Sequence, residues 1–371
     1  MARIRYAEDL KRLRPVIKVI GLGGAGGNAV NRMAEAGIHD VELIAANTDA
    51  QHLERSKATI KVQLGESITK GLGVGGDPAK GRMAGLDSQE HIREVLAGSD
   101  LVFITAGMGG GTGTGVAPIA AQIAKELNAL TIGVVTRPFQ FEGRVRSNRA
   151  EMGIKELRNY VDALLVIPND RIFQVADENT TSLEAYKKVD DVLRQAVQAL
   201  SDIITQPGEV NVDLNDIKAV MTNAGDALMG IGEAYGPNRA AEAARNAVDS
   251  PLIENVSIDG AKGCIMNVVS NRKITIGEVK DAADFISSQI SPDANFKYGH
   301  VYDDSLDDRI RITIIATGFP ANRRSLLGKG ASRALPGGAR ERTRPTSSGH
   351  SLAPDDLSKP AFMRFKAKKI R

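Results

Sequence analysis

Gly107-Met108-Gly109-Gly110-Gly111-Thr112-Gly113-Thr114-Gly115 stands between the apolar run Leu101-Val102-Phe103-Ile104 and the apolar stretch Val116 to Leu127. From Gly109 to Gly115 there are five glycines and two threonines, so hydroxyls are the only functional groups its side chains offer. A strand entering such a loop and a helix leaving it present bare backbone N–H groups at a helix N-terminus, where the dipole favours an anion. With two hydroxyls added, the nest suits a di- or triphosphate. The bland alternative is a glycine-rich turn placed for packing.

A second loop has the same setting. Gly21-Leu22-Gly23-Gly24-Ala25-Gly26-Gly27 follows the strand candidate Val16 to Ile20 and opens a helix read from Asn28 to Ala36. By itself it fits G-x-G-x-x-G, with Asp49 or Glu42 as the ribose acid, and supports a rival reading as a Rossmann-type NAD(P) oxidoreductase. Such a dehydrogenase has no use for a second cradle as rich as Gly107 to Gly115. A third segment, Gly71-Leu72-Gly73-Val74-Gly75-Gly76-Asp77-Pro78, reads by itself as a flexible loop and, beside the other two, as a cover for the outermost phosphate. No G-x-x-x-x-G-K-[ST] occurs, so no Walker lysine grips the phosphates. Their charge falls to dipoles, Mg2+ and a mobile Arg.

Around these loops the chain reads as layered α/β. Val41 to Asn47, Leu130 to Thr136 and Ala163 to Ile167 are further apolar strands, and Val145 to Tyr160 is an Arg-rich helix. Strands too apolar for a one-sided sheet, alternating with helices, predict a parallel sheet covered on both faces. Ser182 to Thr205 is one long helical pattern that ends at Gln206-Pro207-Gly208. Beyond it lie strand candidates Ala227 to Glu233, Cys264 to Val269 and Ile310 to Ala316, with helices over Arg239 to Val248 and Gly277 to Ile290. The strict alternation of Arg309-Ile310-Arg311-Ile312-Thr313-Ile314 predicts a sheet with one wet face.

The 371 residues then divide into an extension (1–14), a first α/β domain (15–181), a central helix (182–206), an α+β domain (207–319), a linker (320–354) and a terminal peptide (355–371). With 42% hydrophobic and 25% charged residues, the composition excludes a wholly disordered or fibrous chain. A single Cys excludes a disulfide framework and a Cys-based zinc site. No signal peptide follows Met1, and no run approaches the ~18 apolar residues of a membrane span, so a cytoplasmic protein is expected. The net charge of +3 hides a split: Pro320 to Arg371 carries thirteen Lys and Arg against three acids, on an acidic body. The balance therefore gives no reason to expect nucleic acid as a partner of the folded part. Past the Gly-, Arg-, Ser- and Pro-rich linker, Lys359-Pro360-Ala361-Phe362-Met363-Arg364-Phe365 is an apolar cluster without a local core, as in short docking peptides.

These motifs resemble the tubulin/FtsZ family, whose signature is the G-G-G-T-G-T-G stretch. The resemblance runs from Ile17 to Phe365 and takes in Asn47-Thr48-Asp49, Thr136 to Gly143, Asn211 to Asp216 and Pro360 to Arg364 in family order. It implies a tubulin-like fold, with a Rossmann-type parallel-sheet domain joined by the central helix to a smaller α+β domain. It also implies a GTPase that polymerises with GTP and Mg2+ and disassembles after hydrolysis. The Mg2+ is carried by the nucleotide phosphates, and no residue is assigned to it directly. Cell division and septation are implied too, in a ring under the membrane of a bacterial or archaeal cell. The implied partners are further copies of the chain, assembly regulators, and membrane-anchoring adaptors that take Pro360, Ala361, Phe362, Met363 and Arg364. A nucleotide-binding filament without turnover is the third reading.

The resemblance places phosphates on Gly24, Ala25, Gly26, Gly27 and Asn28 and on Gly110, Gly111, Thr112 and Gly113. It puts the ribose hydroxyls on Glu142, gives Arg146 a contact with the nucleotide, and makes Asn169 a guanine contact. Read without it, Glu142 is a loop acid and Arg146 one of several nearby arginines. Tyr186 and Asp190 are i and i+4 on the long helix, hence on one face. A ring can stack on a purine while a carboxylate accepts from guanine N1–H and the 2-amino group; adenine lacks that donor pair. The bland alternative makes Tyr186 a core residue and Asp190 a surface acid. His39, His52, His91, His300 and His350 are scattered outside the phosphate loops. Asp213 and Asp216 read as helix-capping acids. The resemblance gives Asn211, Asp213 and Asp216 a sharper role, entering the pocket of the next subunit and positioning the attacking water, so that hydrolysis needs a head-to-tail contact.

Overall fold

The computed structural model describes residues 14–38, 40–174, 180–205, 210, 212–250 and 258–319. Its centre is β1 (Ile17–Leu22), buried along its whole length. Ile17 and Val19 enter the apolar cluster on one face of the sheet, Ile20 and Leu22 the cluster on the other. β4 divides in the same way: Leu101 and Phe103 against Val102, Ile104 and Ala106. A strand covered on both sides has no polar alternation, which is why these segments read as unbroken apolar runs.

Six strands run parallel: β1, β2 (Val41–Asn47), β3 (Ile60–Gln63), β4 (Leu101–Gly107), β5 (Leu130–Arg137) and β6 (Ala163–Pro168). Their order β3-β2-β1-β4-β5-β6 grows outward from β1 in one direction and from β4 in the other. The point of reversal lies between β1 and β4, and crevices at such points hold ligands in open α/β sheets. α1 (Gly23–Glu35) follows β1. α2 (Ala50–Glu54), α3 (Glu66–Thr69), α4 (Pro78–Asp87) and α5 (Gln89–Leu96) lie between β2 and β4. α6 (Thr112–Glu126) and α7 (Arg144–Leu157) follow β4 and β5. Apolar residues of α5, α6 and α7 cover one face of the sheet; those of α1 and of the long helix α8 (Ser182–Thr205) cover the other.

After α8 come α9 (Leu214–Met221), β7 (Gly225–Ala234), α10 (Arg239–Val248), β8 (Gly263–Ser270), α11 (Ile276–Gln289), β9 (Asn295–Tyr302) and β10 (Ile310–Thr317). β7 joins β6 in parallel through Ala163–Gly225, Leu164–Asp226 and Leu165–Ala227. All ten strands therefore form one sheet, which ends in the order β7-β10-β8-β9. The two expected sheets are continuous, so the parts are linked through strand pairing as well as through α8. Ala240, Ala243, Ala244 and Ala247 line the buried stripe of α10 at helical spacing. Small side chains let that helix come close: a Cβ on Gly232 would stand 2.1 Å from the Ala243 carbonyl oxygen. Among the described residues no helix is long and apolar enough to cross a membrane.

Three expectations change. α1 begins at Gly23, and α6 at Thr112, so the glycine loops supply the first helical turns instead of preceding them. Packing overrides the low helical propensity of glycine: a Cβ on Gly26 would lie 2.4 Å from the Thr105 carbonyl oxygen. The wet face of β10 is largely absent. Arg311 pairs with Glu233 at 2.5 Å, but Thr313 and Ile315 are buried, and Ile315 shares a core cluster with Leu193 and Val197 of α8.

Candidate functional site

Both glycine loops leave the sheet at the point of reversal and meet there. Gly23 adopts φ +70°, and a Cβ on it would stand 3.0 Å from the Gly113 amide nitrogen. Gly21 and Gly26 are needed for packing, since a Cβ on Gly21 would lie 2.3 Å from the Gly26 carbonyl oxygen. Gly24 and Gly110 are different. Neither has positive φ. A Cβ on Gly24 would meet only the His52 ring at 3.8 Å, and one on Gly110 only the Gly107 carbonyl oxygen at 4.0 Å. Neither backbone angle nor protein packing demands glycine at these positions. What both border is a cleft that also takes in Ala25, Gly111, Thr112, Gly113 and Arg146.

The third glycine segment closes one side of this cleft through Gly73, Val74, Gly75 and Gly76. It is held by Arg149, whose Nη1 donates to the Gly76 carbonyl oxygen at 2.7 Å, and by Asp77, which accepts from Ala79 N–H as the N-cap of α4. The two hydroxyls of the signature part company. Thr112 Oγ1 lies 2.7 Å from Thr48 Oγ1 and stays on the cleft. Thr114 is turned inward, where its Oγ1 accepts from Gly109 N–H at 2.8 Å. The expectation of two hydroxyls aimed at phosphate is corrected to one, because the positive φ of Gly109 (+95°) is held by that internal bond.

A second cluster forms around Phe139, which is buried. Its ring contacts Phe141, Phe173 and Tyr186 at centroid distances of 4.9, 5.4 and 5.3 Å. Its N–H donates to Glu142 Oε1 at 2.9 Å, while Glu142 Oε2 takes Arg146 Nη1 at 2.9 Å. Glu142, Arg146 and Tyr186 are thus brought together. Tyr186 is 43% exposed and Asp190 only 9%, the reverse of the bland expectation for each. Burial pushes the Asp190 carboxyl up to about 7, opposed by the Arg32 guanidinium across on α1 and reinforced by Asp191. Asp191 itself is engaged, accepting from Arg194 Nε at 2.6 Å and from Gln195 Nε2 at 2.5 Å. Asn169, at the end of β6, is buried with Oδ1 lacking any hydrogen-bond partner. A buried acceptor without a donor, as at Asn169, is costly unless something supplies an N–H group.

Gly26 and Gly27 lie behind the cleft, Gly27 against the His52 ring, and Asn28 is exposed further along α1. Asn169, Tyr186 and Asp190 do not line it. Asp213 and Asp216 do not line it either: they follow the end of α8, which runs ~30 Å from Tyr186 to Thr205. Asp213 caps α9 by accepting from Asp216 N–H at 2.8 Å, and Asp216 pairs with Lys297 at 2.6 Å. Asn211, the linker and the peptide Pro360, Ala361, Phe362, Met363, Arg364 lie outside the described residues. Sequence reading noted Asn47 and Thr48 only within the resemblance, without a role, and set His52 aside; all three line the cleft. For His52 the helical spacing after Asp49 was the available clue, since Asp49 caps α2 and turns the next residues toward α1.

A mostly parallel sheet with two glycine loops at its point of reversal, continued through a long helix into an antiparallel extension, defines a tubulin-like α/β protein. Residues 16–177 match the Tubulin/FtsZ family, GTPase domain, and residues 225–320 the FtsZ family, C-terminal domain. An empty FtsZ dimer of M. jannaschii is 42% identical, covers 84% of this chain and 90% of its own, and superimposes with a TM-score of 0.80. A mutant form of FtsZ from M. jannaschii is 43% identical over 84% of this chain and 93% of its own, again at 0.80. CetZ2 from Haloferax volcanii, solved as a GTPγS-bound protofilament, is 20% identical over 84% and 96% at 0.71, a likeness of fold. The chain belongs to the Tubulin/FtsZ family, a family of GTPases. The oxidoreductase reading falls with its two candidate acids: Asp49 is spent on capping α2, and Glu42 pairs with Lys18 at 3.1 Å.

Proposed function

We propose that this chain binds GTP between the two glycine loops and the Phe139 cluster, hydrolyses it, and assembles head to tail into filaments that serve cell division. The observation that carries this reading is the pair Gly24 and Gly110, glycines that neither φ nor protein packing requires and that leave room against bare backbone. Phosphates lie along α1 and α6 at Gly24, Ala25 and Gly110 to Gly113, where helix dipoles favour negative charge. Arg146 adds a cation, and Glu142 takes the ribose hydroxyls. Asp190 and Asn169 accept from guanine N–H donors, with Tyr186 against the base. Mg2+ supplies charge neutralisation on the phosphates when bound. Among the described residues no cluster of three or more His, Cys, Asp or Glu is placed to hold a metal, and none is assigned to it.

The carboxylate that lines the cleft, Asp49, is spent on capping α2. Asp213 and Asp216 stand at the far end of α8, an arrangement suited to a water-positioning role in the next subunit along a filament. The solved FtsZ dimer of M. jannaschii supports self-association. The terminal peptide takes membrane-anchoring adaptors, and the filament lies under the membrane as a ring in the cytoplasm. Light scattering with GTP and Mg2+ tests the reading: scattering should rise with GTP, decay as phosphate is released, and stay flat with ATP. Equal response to ATP, or phosphate release without assembly, would sink it.

A further inference from the structure

We propose that His52 is a second cationic contact for the phosphates, and that it takes up a proton when they bind. The inference rests on the nucleotide reading above and extends it. His52 lies in α2, and Asp49 fixes its place by accepting the His52 N–H at 3.1 Å. The ring is partly exposed and lines the cleft beside the first turn of α1. A Cβ on Gly24 would be 3.8 Å from its Nε2, and one on Gly27 3.2 Å from its Cε1. Gly27 therefore makes room for the imidazole, and Gly24 stands within ordinary contact of it. Among the described residues no side-chain hydrogen bond or ion pair ties the ring.

The groups that face it decide its charge. From α1 the ring faces the glycines Gly24 and Gly27 at the positive end of that helix. From the turn before α2 comes Asp49, whose carboxylate is committed to the Gln51 and His52 amides. The segment Leu72 to Gly76 contributes no charged side chain to the cleft, and Arg146, paired with Glu142, also lines it. A polyphosphate beside Gly24 reverses the local potential, and the ring gains a proton near neutral pH. Binding and protonation are then linked: phosphate affinity rises as pH falls through the range in which the bound form, but not the free form, is protonated.

Asp190 pulls the other way, because guanine binding favours its charged form and so releases a proton. The two effects separate by variant. GDP affinity is measured for wild type, His52→Gln and His52→Lys from pH 8.5 to 6.0, in EDTA, by calorimetry in two buffers of different ionisation enthalpy. Proton uptake per GDP should be lower in His52→Gln than in wild type. Between the ends of the range, the ratio of wild-type to His52→Gln affinity should grow ~3–10-fold toward low pH, tenfold corresponding to one unit of pKa shift. His52→Lys, cationic throughout, should show the same loss of pH dependence with tighter binding than His52→Gln. Should a variant fail to fold, NMR titration of the wild-type His52 ring with and without GDP gives the same answer, as a raised pKa on binding. Parallel pH profiles for wild type and His52→Gln, or an unmoved His52 titration, would overturn the proposal while leaving the nucleotide reading intact. Absence of GDP binding by wild type at every pH would overturn the nucleotide reading and, with it, this one.

Discussion

Thr48 and Thr112 share a hydroxyl–hydroxyl hydrogen bond of 2.7 Å that ties the end of β2 to the first residue of α6. Both side chains are buried. In either variant to Val, the surviving hydroxyl is left without its partner, at ~1–3 kcal/mol. Thr48→Val should therefore lower the melting temperature and weaken GTP binding together, although Thr48 belongs to neither glycine loop. An unchanged GTP affinity would show that this tie does not shape the phosphate cradle.

Gly110→Ala and Gly26→Ala should have opposite signatures. The added methyl at Gly110 meets nothing closer than 4.0 Å, so the fold should keep its melting temperature while nucleotide affinity drops. At Gly26 it would meet the Thr105 carbonyl oxygen at 2.4 Å and cost ~1–3 kcal/mol or more of stability. Thermal melts with and without GDP distinguish the two. If Gly110→Ala binds GDP as wild type does, the open space beside it is not where the phosphates lie.

Asp190 makes two predictions. Asp190→Ala should lose most of the discrimination between GTP and ATP, at ~1.5–3 kcal/mol for bonds to a charged acceptor. In the nucleotide-free protein its carboxyl sits at about 7 against an ordinary 3.8, so the folded state holds a proton that the unfolded chain releases. The folded form is thus favoured below about pH 4, and that contribution is lost as pH rises from there through 7. Denaturant melts should show stability declining over this window in wild type, with the decline diminished in Asp190→Asn. Identical pH profiles would refute the assignment of a carboxyl held neutral by burial.

Asp213 and Asp216 give a test of the split site. Asp213→Ala loses the cap of α9, worth ~1 kcal/mol, and as a water-positioning group it should also lose ~10²–10⁴-fold in turnover. GTP binding by the monomer should be retained. Wild-type turnover per molecule should rise with protein concentration. Mixing Asp216→Ala with Thr112→Arg should recover some activity, since one contact in the mixture joins an intact loop to intact aspartates. Turnover independent of concentration would leave both residues as helix-terminus acids.

Deleting Ser358 to Arg371 should spare GTP hydrolysis and assembly and abolish capture by a membrane-anchored adaptor. Pelleting with adaptor-bearing vesicles measures the second, phosphate release the first. Loss of nucleotide binding on truncation would assign the segment to the folded body instead.

What could be read in advance follows from where the information sits. The bounds of β2, α8 and α10 were legible because each is set by residues within the element: apolar content, spacing, and the Pro/Gly stop after Thr205. β9 was missed because Asn295-Phe296-Lys297-Tyr298 mixes polar and aromatic residues on the edge strand, which pairs with β8 along its length. Thr114 was misjudged because its partner, Gly109 N–H, depends on a backbone angle invisible in the letters. His52 and Thr48 entered the site through the β2–α2 turn, whose direction is settled by the packing of α1 against β2. Asn169 and Asp190 drew notice by resemblance and by spacing; that both are buried, Asn169 Oδ1 without a donor, is a property of the assembled interior.

Phe139 carries a consequence of its own. One ring supports Tyr186, Phe141 and Phe173, while its amide holds Glu142, and through Glu142 the guanidinium of Arg146. A lineage that altered this side chain would disturb the seats proposed for base and sugar in the same generation. Neither end of the pocket is therefore free to drift by itself: variation there must arrive in matched sets, and single changes at Phe139 should be the rarest to survive.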